Sequence, residues 1–312
     1  FDGFKAFANA KGILDTSAED SNLTPEISGM VSQTFADDTF GVLLALSHSK
    51  RESGRERVGT SQGWVRNRAN PAGVNSSAIN TTNNPDGAYW VPWTPEMERF
   101  ETERERQNAQ LVLQYAPNDN ITATLDYTLS RFEETSNTNK MAFWFDNPTG
   151  TTDANGTLVD IKNTNDELNF WAWELYEKKE NDSLGLNLDW QASDSLKLTF
   201  DAHNSTSHSN PDGDTAETIA NLKNVPGSIN SIGANFSGDI PSITVDDSTL
   251  AGGAYDPANI VSDLYQRRGY EMKNTIKQYH LSGQWDNLKS GALSTINFGV
   301  MYTDYQIDTY LS

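Results

Sequence analysis

The 312-residue sequence contains no cysteine, which excludes a disulfide framework and any thiolate metal site. It has no run of about 18 apolar residues, so no helix is long enough to cross a bilayer. A membrane barrel stays open, because its strands need only ~9–11 alternating residues each. Basic residues are scarce: 23 Lys and Arg stand against 43 Asp and Glu, a net charge of −20. That balance argues against nucleic acid or a free anionic phosphate as partner. The histidines, His48, His203, His208 and His280, are few and scattered. No G-x-S-x-G, H-E-x-x-H or P-loop occurs. Acidic pairs are so common at this composition that a glycosidase dyad cannot be argued. The expectation is a non-enzymatic protein with no cofactor and no metal centre. No basic n-region followed by an apolar h-region opens the sequence. It starts and stops mid-pattern, and so reads as a mature fragment cut at both ends.

What the sequence does have is alternation. In Gln107–Arg131, Ala109, Leu111, Leu113 and Tyr115 alternate with Asn108, Gln110, Val112 and Gln114. Pro117, Asn118 and Asp119 turn the chain. Ile121, Ala123, Leu125, Tyr127 and Leu129 then alternate with Thr122, Thr124, Asp126, Thr128 and Ser130. A period of two places one set on each face of a strand, so this is a hairpin with one apolar and one polar face. Asp182–Asn204 repeats it: Tyr115 and Trp190 differ by 190 − 115 = 75, and the same offset pairs Leu113 with Leu188, Ile121 with Leu196 and Asp126 with Asp201. Further strands are expected over Asp2–Lys11, Pro25–Phe35 and Phe40–Ser49, and a closing hairpin carries Tyr279, Leu281 and Trp285, then Ile296, Phe298 and Tyr302.

Four tight turns alternate with long polar segments, Lys50–Thr102, Phe132–Glu180 and Ser205–Asn274, read here as loops. Short turns at one end and long loops at the other describe outer-membrane barrels, whereas a soluble sandwich more often turns every ~8–12 residues. Phe35, Tyr115, Trp190 and Trp285 each precede a tight turn, where aromatic rings would form an interfacial girdle. The expected fold is an all-β, antiparallel transmembrane β-barrel fragment of about nine strands, with short periplasmic turns and long extracellular loops.

Pro25–Ser53 (PEISGMVSQTFADDTFGVLLALSHSKRES), Arg104–Glu133 (RERQNAQLVLQYAPNDNITATLDYTLSRFE) and Asn181–Ser205 (NDSLGLNLDWQASDSLKLTFDAHNS) together resemble the β-barrel of TonB-dependent outer-membrane receptors. The subgroup it is most similar to is the proteobacterial one often tied to oligosaccharide uptake. The resemblance is diffuse, resting on pattern and turn phrases. It implies a roughly 22-stranded barrel with a plug, of which residues 1–312 would be one partial barrel lacking the plug and the closing strands. It also implies residence in the outer membrane of a Gram-negative bacterium, with membrane lipid and lipopolysaccharide around the wall. A small solute would be imported, an oligosaccharide first and an iron–siderophore complex second. The TonB–ExbB–ExbD system would supply energy through the missing plug. A passive porin-type channel and a soluble secreted glycan-binding protein are the competing readings.

On this reading Gln114, Thr124, Asp126, Asn187, Asp189, Lys197, Asp201 and Gln284 line the lumen, with plain solvation of an inner wall as the alternative. Ligand candidates are the aromatics Tyr89, Trp90 and Trp93, then Phe143, Trp144 and Phe145, then Phe170, Trp171 and Trp173. Flat rings near carboxylates and amides suit stacking on sugar faces, but the same clusters suit an outer girdle or small cores that hold loops in shape. Two acidic groups, Asp212, Asp214 and Glu217, and Asp153 with Asp160, do not fit EF-hand spacing and read as solvated turns.

Overall fold

In a computed structural model, residues 3–61, 63–67, 86, 88–145, 148–211, 213, 215–289 and 291–312 are described, with the backbone alone for 74–75. Asp212 and Asp214 lie outside the described residues. Among the described residues the chain is all-β and its strand pairings are antiparallel apart from the two-residue β5 on β9 and an isolated parallel bridge between Trp90 and Thr157. Among the described residues there are seventeen strands: β1 (Lys5–Leu14), β2 (Leu23–Phe35), β3 (Phe40–Thr60), β4 (Trp64–Asn67), β5 (Val74–Asn75), β6 (Tyr89–Pro92), β7 (Pro95–Asn118), β8 (Ile121–Ala142), β9 (Thr149–Thr152), β10 (Leu158–Asp166), β11 (Asn169–Ser193), β12 (Leu196–Ser209), β13 (Thr215–Asn224), β14 (Ile229–Asn235), β15 (Ser242–Asp246), β16 (Ile260–Asp286) and β17 (Thr295–Leu311). One 3-10 turn, Pro257–Asn259, precedes β16.

Ten of these strands form one meandering sheet, ordered β1-β2-β3-β7-β8-β11-β12 and on to β16 and β17, with β13 also between β11 and β16. β12 and β13 are one stave interrupted. β12 pairs with Lys179–Gln191 of β11, and β13 resumes on the same side against Asn169–Leu175. The sheet therefore has nine staves, as the alternation implies. Asn210 stabilises the interruption with a left-handed backbone (φ 50°), its amide bonded to Lys178 O and its side-chain oxygen accepting from Lys178 N–H. The two hairpins offset by 75 residues are neighbours in this sheet, each with a register shift just before its turn, between Tyr115 and Asn118 and between Gln191 and Ser193.

The apolar and polar faces are buried in the opposite sense to a soluble protein. Leu111, Leu125, Tyr127, Leu184, Leu186 and Trp190 are exposed, while Thr124, Asp126, Thr128, Asn187 and Asp189 between them are half-buried. The apolar side chains form continuous rows around the outside, such as Leu44–Leu111–Tyr127–Leu184 and Val42–Leu113–Leu125–Leu186. On every stave they stop ~9–10 residues from the tight turn, about the length that crosses a bilayer core.

Most staves do not stop there, which corrects the reading of Lys50–Thr102, Phe132–Glu180 and Ser205–Asn274 as loops throughout. β3 runs on to Thr60, β7 starts at Pro95, β8 reaches Ala142, and β11 starts at Asn169. Strands of 21 to 27 residues extend ~70–90 Å at about 3.3 Å per residue. Above the apolar belt both faces are polar, so alternation of hydrophobicity disappears while the ladder of backbone bonds continues. Side chains there pair across the ladder instead: Lys50 with Glu103 at 2.7 Å, Arg104 with Glu134 at 3.5 Å, Arg131 with Glu180 at 3.7 Å.

The hydrophobic core lies in what remains of the loops. β9, β10, β14 and β15, with β5 at the edge, form a five-stranded sheet, and β4 pairs with β6. Tyr89, Val91, Phe143, Phe145, Leu158, Ile161, Leu168, Ile229 and Ile232 are buried together there, with Met141 and Phe170 of the staves packed against them. This cap is a small conventional β domain. Its burial drives its own folding and fixes the loop ends of β8 and β11.

Candidate functional site

The polar face of the staves carries its residues in register. One row reads Gln114–Thr124–Asn187–Asp201–His280 across β7, β8, β11, β12 and β16. Another joins Thr122, Asp189, Thr199 and Ser282, and a third joins Val112, Asp126, Gly185 and His203. All the predicted lumen-lining residues thus share one face. They largely satisfy one another: Thr199 Oγ1 donates to Asp189 at 2.6 Å, Asn187 Nδ2 to Asp201 at 3.4 Å, and Lys197 sits 3.7 Å from Asp189. The Asp126 carboxylate occupies the space a Cβ on Gly185 would need, which is why glycine faces it. Such a wall is polar, hydrogen-bonding and acidic, with Lys197 as the cation against Asp126, Asp189 and Asp201.

At the cap end the same face changes character. A single row crosses five strands: Arg57 of β3, Glu98 of β7, Lys140 of β8, Trp171 of β11 and Asn221 of β13. Arg57 pairs with Glu98 at 3.3 Å and also with Glu96. Lys140 Nζ lies 3.4 Å from Glu96 Oε2, and 5.4 Å and 5.9 Å from the ring centroids of Trp171 and Trp173. Glu96 is only 1 % exposed, and two cations hold its charge. Asn221 Nδ2 donates to Asp263 at 2.9 Å, and Asp263 in turn holds Lys223 at 2.7 Å.

This patch is incompletely satisfied. Arg57 Nε, Thr94 Oγ1, Trp171 Nε1, Trp173 Nε1 and Asn221 Oδ1 are all buried without a hydrogen-bond partner. Buried polar groups are normally paired, so several orphan donors and one orphan acceptor around two indole rings mark a place prepared for something polar. Rings, a cation and donors together suit a hydroxylated or carboxylated solute with a flat apolar face.

The sequence-predicted aromatics divide. Trp171 belongs to this row and Trp173 lies two residues further along the same face of β11, both on a stave and not in a loop. Tyr89, Phe143 and Phe145 are buried in the cap core, so these rings have no free face for a ligand. Trp144 is half-buried beside them. Trp90 (38 %) and Trp93 (45 %) keep exposed rings at the β4–β6 pair. Sequence reasoning passed over Arg57, Glu96, Glu98, Lys140 and Asn221. The signal was there as a period-two alternation of charge, in Arg55–Arg57 and in Glu96–Glu98, which has the strand period without hydrophobic contrast. Among the described residues no cluster of His, Asp and Glu is arranged to hold a metal ion.

No protein-family model matches the chain, and no curated protein matches it. Among solved structures there is a similarity to the crystal structure of BauA, the ferric preacinetobactin receptor from Acinetobacter baumannii, at TM-score 0.34 and 9 % identity. It covers 99 % of this chain, which spans 42 % of that receptor. At this similarity the likeness carries nothing about function. What remains is the chain's own geometry: a wall with an apolar exterior, a polar interior, and a donor-rich aromatic row at the capped end.

Proposed function

We propose that this chain is part of the wall of an outer-membrane β-barrel receptor that binds and imports a scarce solute. One observation carries the reading: large apolar side chains such as Leu111, Leu125, Leu184, Leu186 and Trp190 are exposed in rows about one bilayer tall, while Thr124, Asp126, Asn187 and Asp189 on the opposite face are half-buried. In water, rows of exposed Leu, Phe and Trp would drive aggregation. In lipid they are the required exterior. The tight turns then lie on the periplasmic side, and the cap stands outside the cell, above the lipopolysaccharide. The sheet's two edges, β1 and β17, pair with each other nowhere among the described residues. Open edges are not tolerated in hydrocarbon, so the working barrel needs further strands.

An oligosaccharide is the favoured solute, since Trp171 and Trp173 present indole faces beside Lys140 and Asn221. An iron–siderophore complex is second. Transport is non-enzymatic, with energy passed from TonB–ExbB–ExbD through a plug. Two measurements test this. The protein should insert into lipid vesicles, and a monomer that melts cooperatively in plain buffer would sink the membrane reading. Uptake of a labelled oligosaccharide should stop when the proton-motive force is collapsed, and uptake that persists identifies a passive channel instead.

A further inference from the structure

The row at the cap end is rich in charge, yet its charges answer one another. Arg55 and Arg57 share Glu98, at 2.9 Å and 3.3 Å, and Arg57 also holds Glu96. Lys140 lies 3.4 Å from Glu96. Lys223 meets Asp263 at 2.7 Å, with Glu167 near it. Arg55, Arg57, Lys140 and Lys223 thus stand against Glu96, Glu98, Asp263 and Glu167. Lys140, Glu96 and Glu98 are largely buried. An anionic solute would find each of these cations already engaged.

What the row leaves unmet are hydrogen bonds, and of both kinds. Arg57 Nε, Trp171 Nε1 and Trp173 Nε1 lack an acceptor, Asn221 Oδ1 lacks a donor, and the Thr94 hydroxyl has neither. A hydroxyl donates or accepts, whereas a carboxylate only accepts. A carboxylate could meet the indole N–H groups but would leave Asn221 Oδ1 unpaired. It would also lose its water beside Glu96 and Glu98 without a free cation in return. From Arg57 to Asn221 the row crosses five neighbouring strands, ~19 Å at about 4.8 Å per strand spacing. One sugar ring is too short to answer it. We infer that this row selects an uncharged oligosaccharide of several rings and rejects its carboxylated counterpart, with Glu98 and Asp263 as specificity determinants because they occupy the cations. The inference rests on the receptor reading above and narrows it, since the same pairing disfavours an anionic iron chelate.

The full-length protein, in mild detergent, is titrated with matched neutral and uronic tetrasaccharides of the gluco, galacto and manno series, and indole emission is followed. At least one neutral tetrasaccharide should bind, and its uronate should bind ~10-fold or more weakly. Raising the salt should leave the neutral affinity unchanged. Trp171→Phe keeps a ring but removes the N–H, and should weaken the neutral sugar ~5-fold. Glu98→Gln frees Arg55 and Arg57, and Asp263→Asn independently frees Lys223 at the other end of the row. Each should raise uronate affinity ~5-fold or more. A uronate bound as tightly as its neutral partner, discrimination that neither carboxylate variant narrows, or neutral binding untouched by Trp171→Phe would overturn the inference and leave the receptor reading standing. Absence of binding by every sugar would defeat the oligosaccharide reading itself.

Discussion

Lys140 holds its ammonium over the Trp171 ring, 5.4 Å from the centroid, from the directly opposite position on the β8–β11 ladder. The same ammonium is 3.4 Å from the buried Glu96. One cation thus ties a carboxylate to an aromatic face on the polar side of the staves. Removing the ring, Trp171→Ala, should weaken solute binding ~5–10-fold, about 1–1.4 kcal/mol. Removing the cation, Lys140→Met, leaves Glu96 with Arg57 alone and should cost ~1–3 kcal/mol of stability. Equilibrium titration followed by indole emission separates the two, and equal effects on binding and stability from both changes would contradict the arrangement.

Neighbouring residues on β8 should respond oppositely to the same substitution. Leu125→Arg puts a charge on the outer belt and should cost ~2–4 kcal/mol of folding into vesicles. Thr124→Arg, on the half-buried polar face, should be tolerated within about 1 kcal/mol. Urea titration of vesicle-folded protein reads both. Equal costs would mean that the two faces are not lipid and lumen.

Asn210 is buried, left-handed, and bonded to both backbone groups of Lys178. Asn210→Ala forfeits the side-chain bond and the tolerance for that backbone, and should cost ~1–3 kcal/mol. The loss should appear as faster amide exchange at Lys178 and the adjoining ends of β12 and β13, with the turn-proximal ladder unchanged.

In the cap, hydrogen bonds from Ser248 and Asn230 hold the Asp246 carboxyl below its ordinary range. A carboxyl depressed by folding stabilises above its unfolded value, and the contribution is lost as pH falls through the folded one. Amide protection of β14 and β15 should therefore decline on acidification, beginning in the ordinary carboxylate range. Asp246→Asn should remove that part of the pH dependence. An unchanged profile in the variant would place the acid sensitivity elsewhere.

Alternation made the belt legible. Leu111, Leu113, Tyr115 and their partners on the neighbouring hairpins identify the nine staves, because a strand with one apolar and one polar face must keep a period of two. The same contrast vanishes beyond the apolar belt, where both faces are polar. There Arg55, Arg57, Glu96 and Glu98 continue the strands unseen by hydrophobicity. Tyr89 and Phe143 were legible as aromatic clusters, but nothing local separates a ring that closes a core from a ring that meets a solute.

By itself the sequence determined the strand period, the asymmetry of turns and connections, and the chemistry of each face, since these follow from neighbours along the chain. Only tertiary structure decided which face is half-buried, that β12 and β13 are one stave, that Tyr89 is core, and that Arg57, Glu98, Lys140, Trp171 and Asn221 form one row. Those residues are separated by tens of positions in the chain. Register between strands, set by turns and by the cap's packing, is what brings them level.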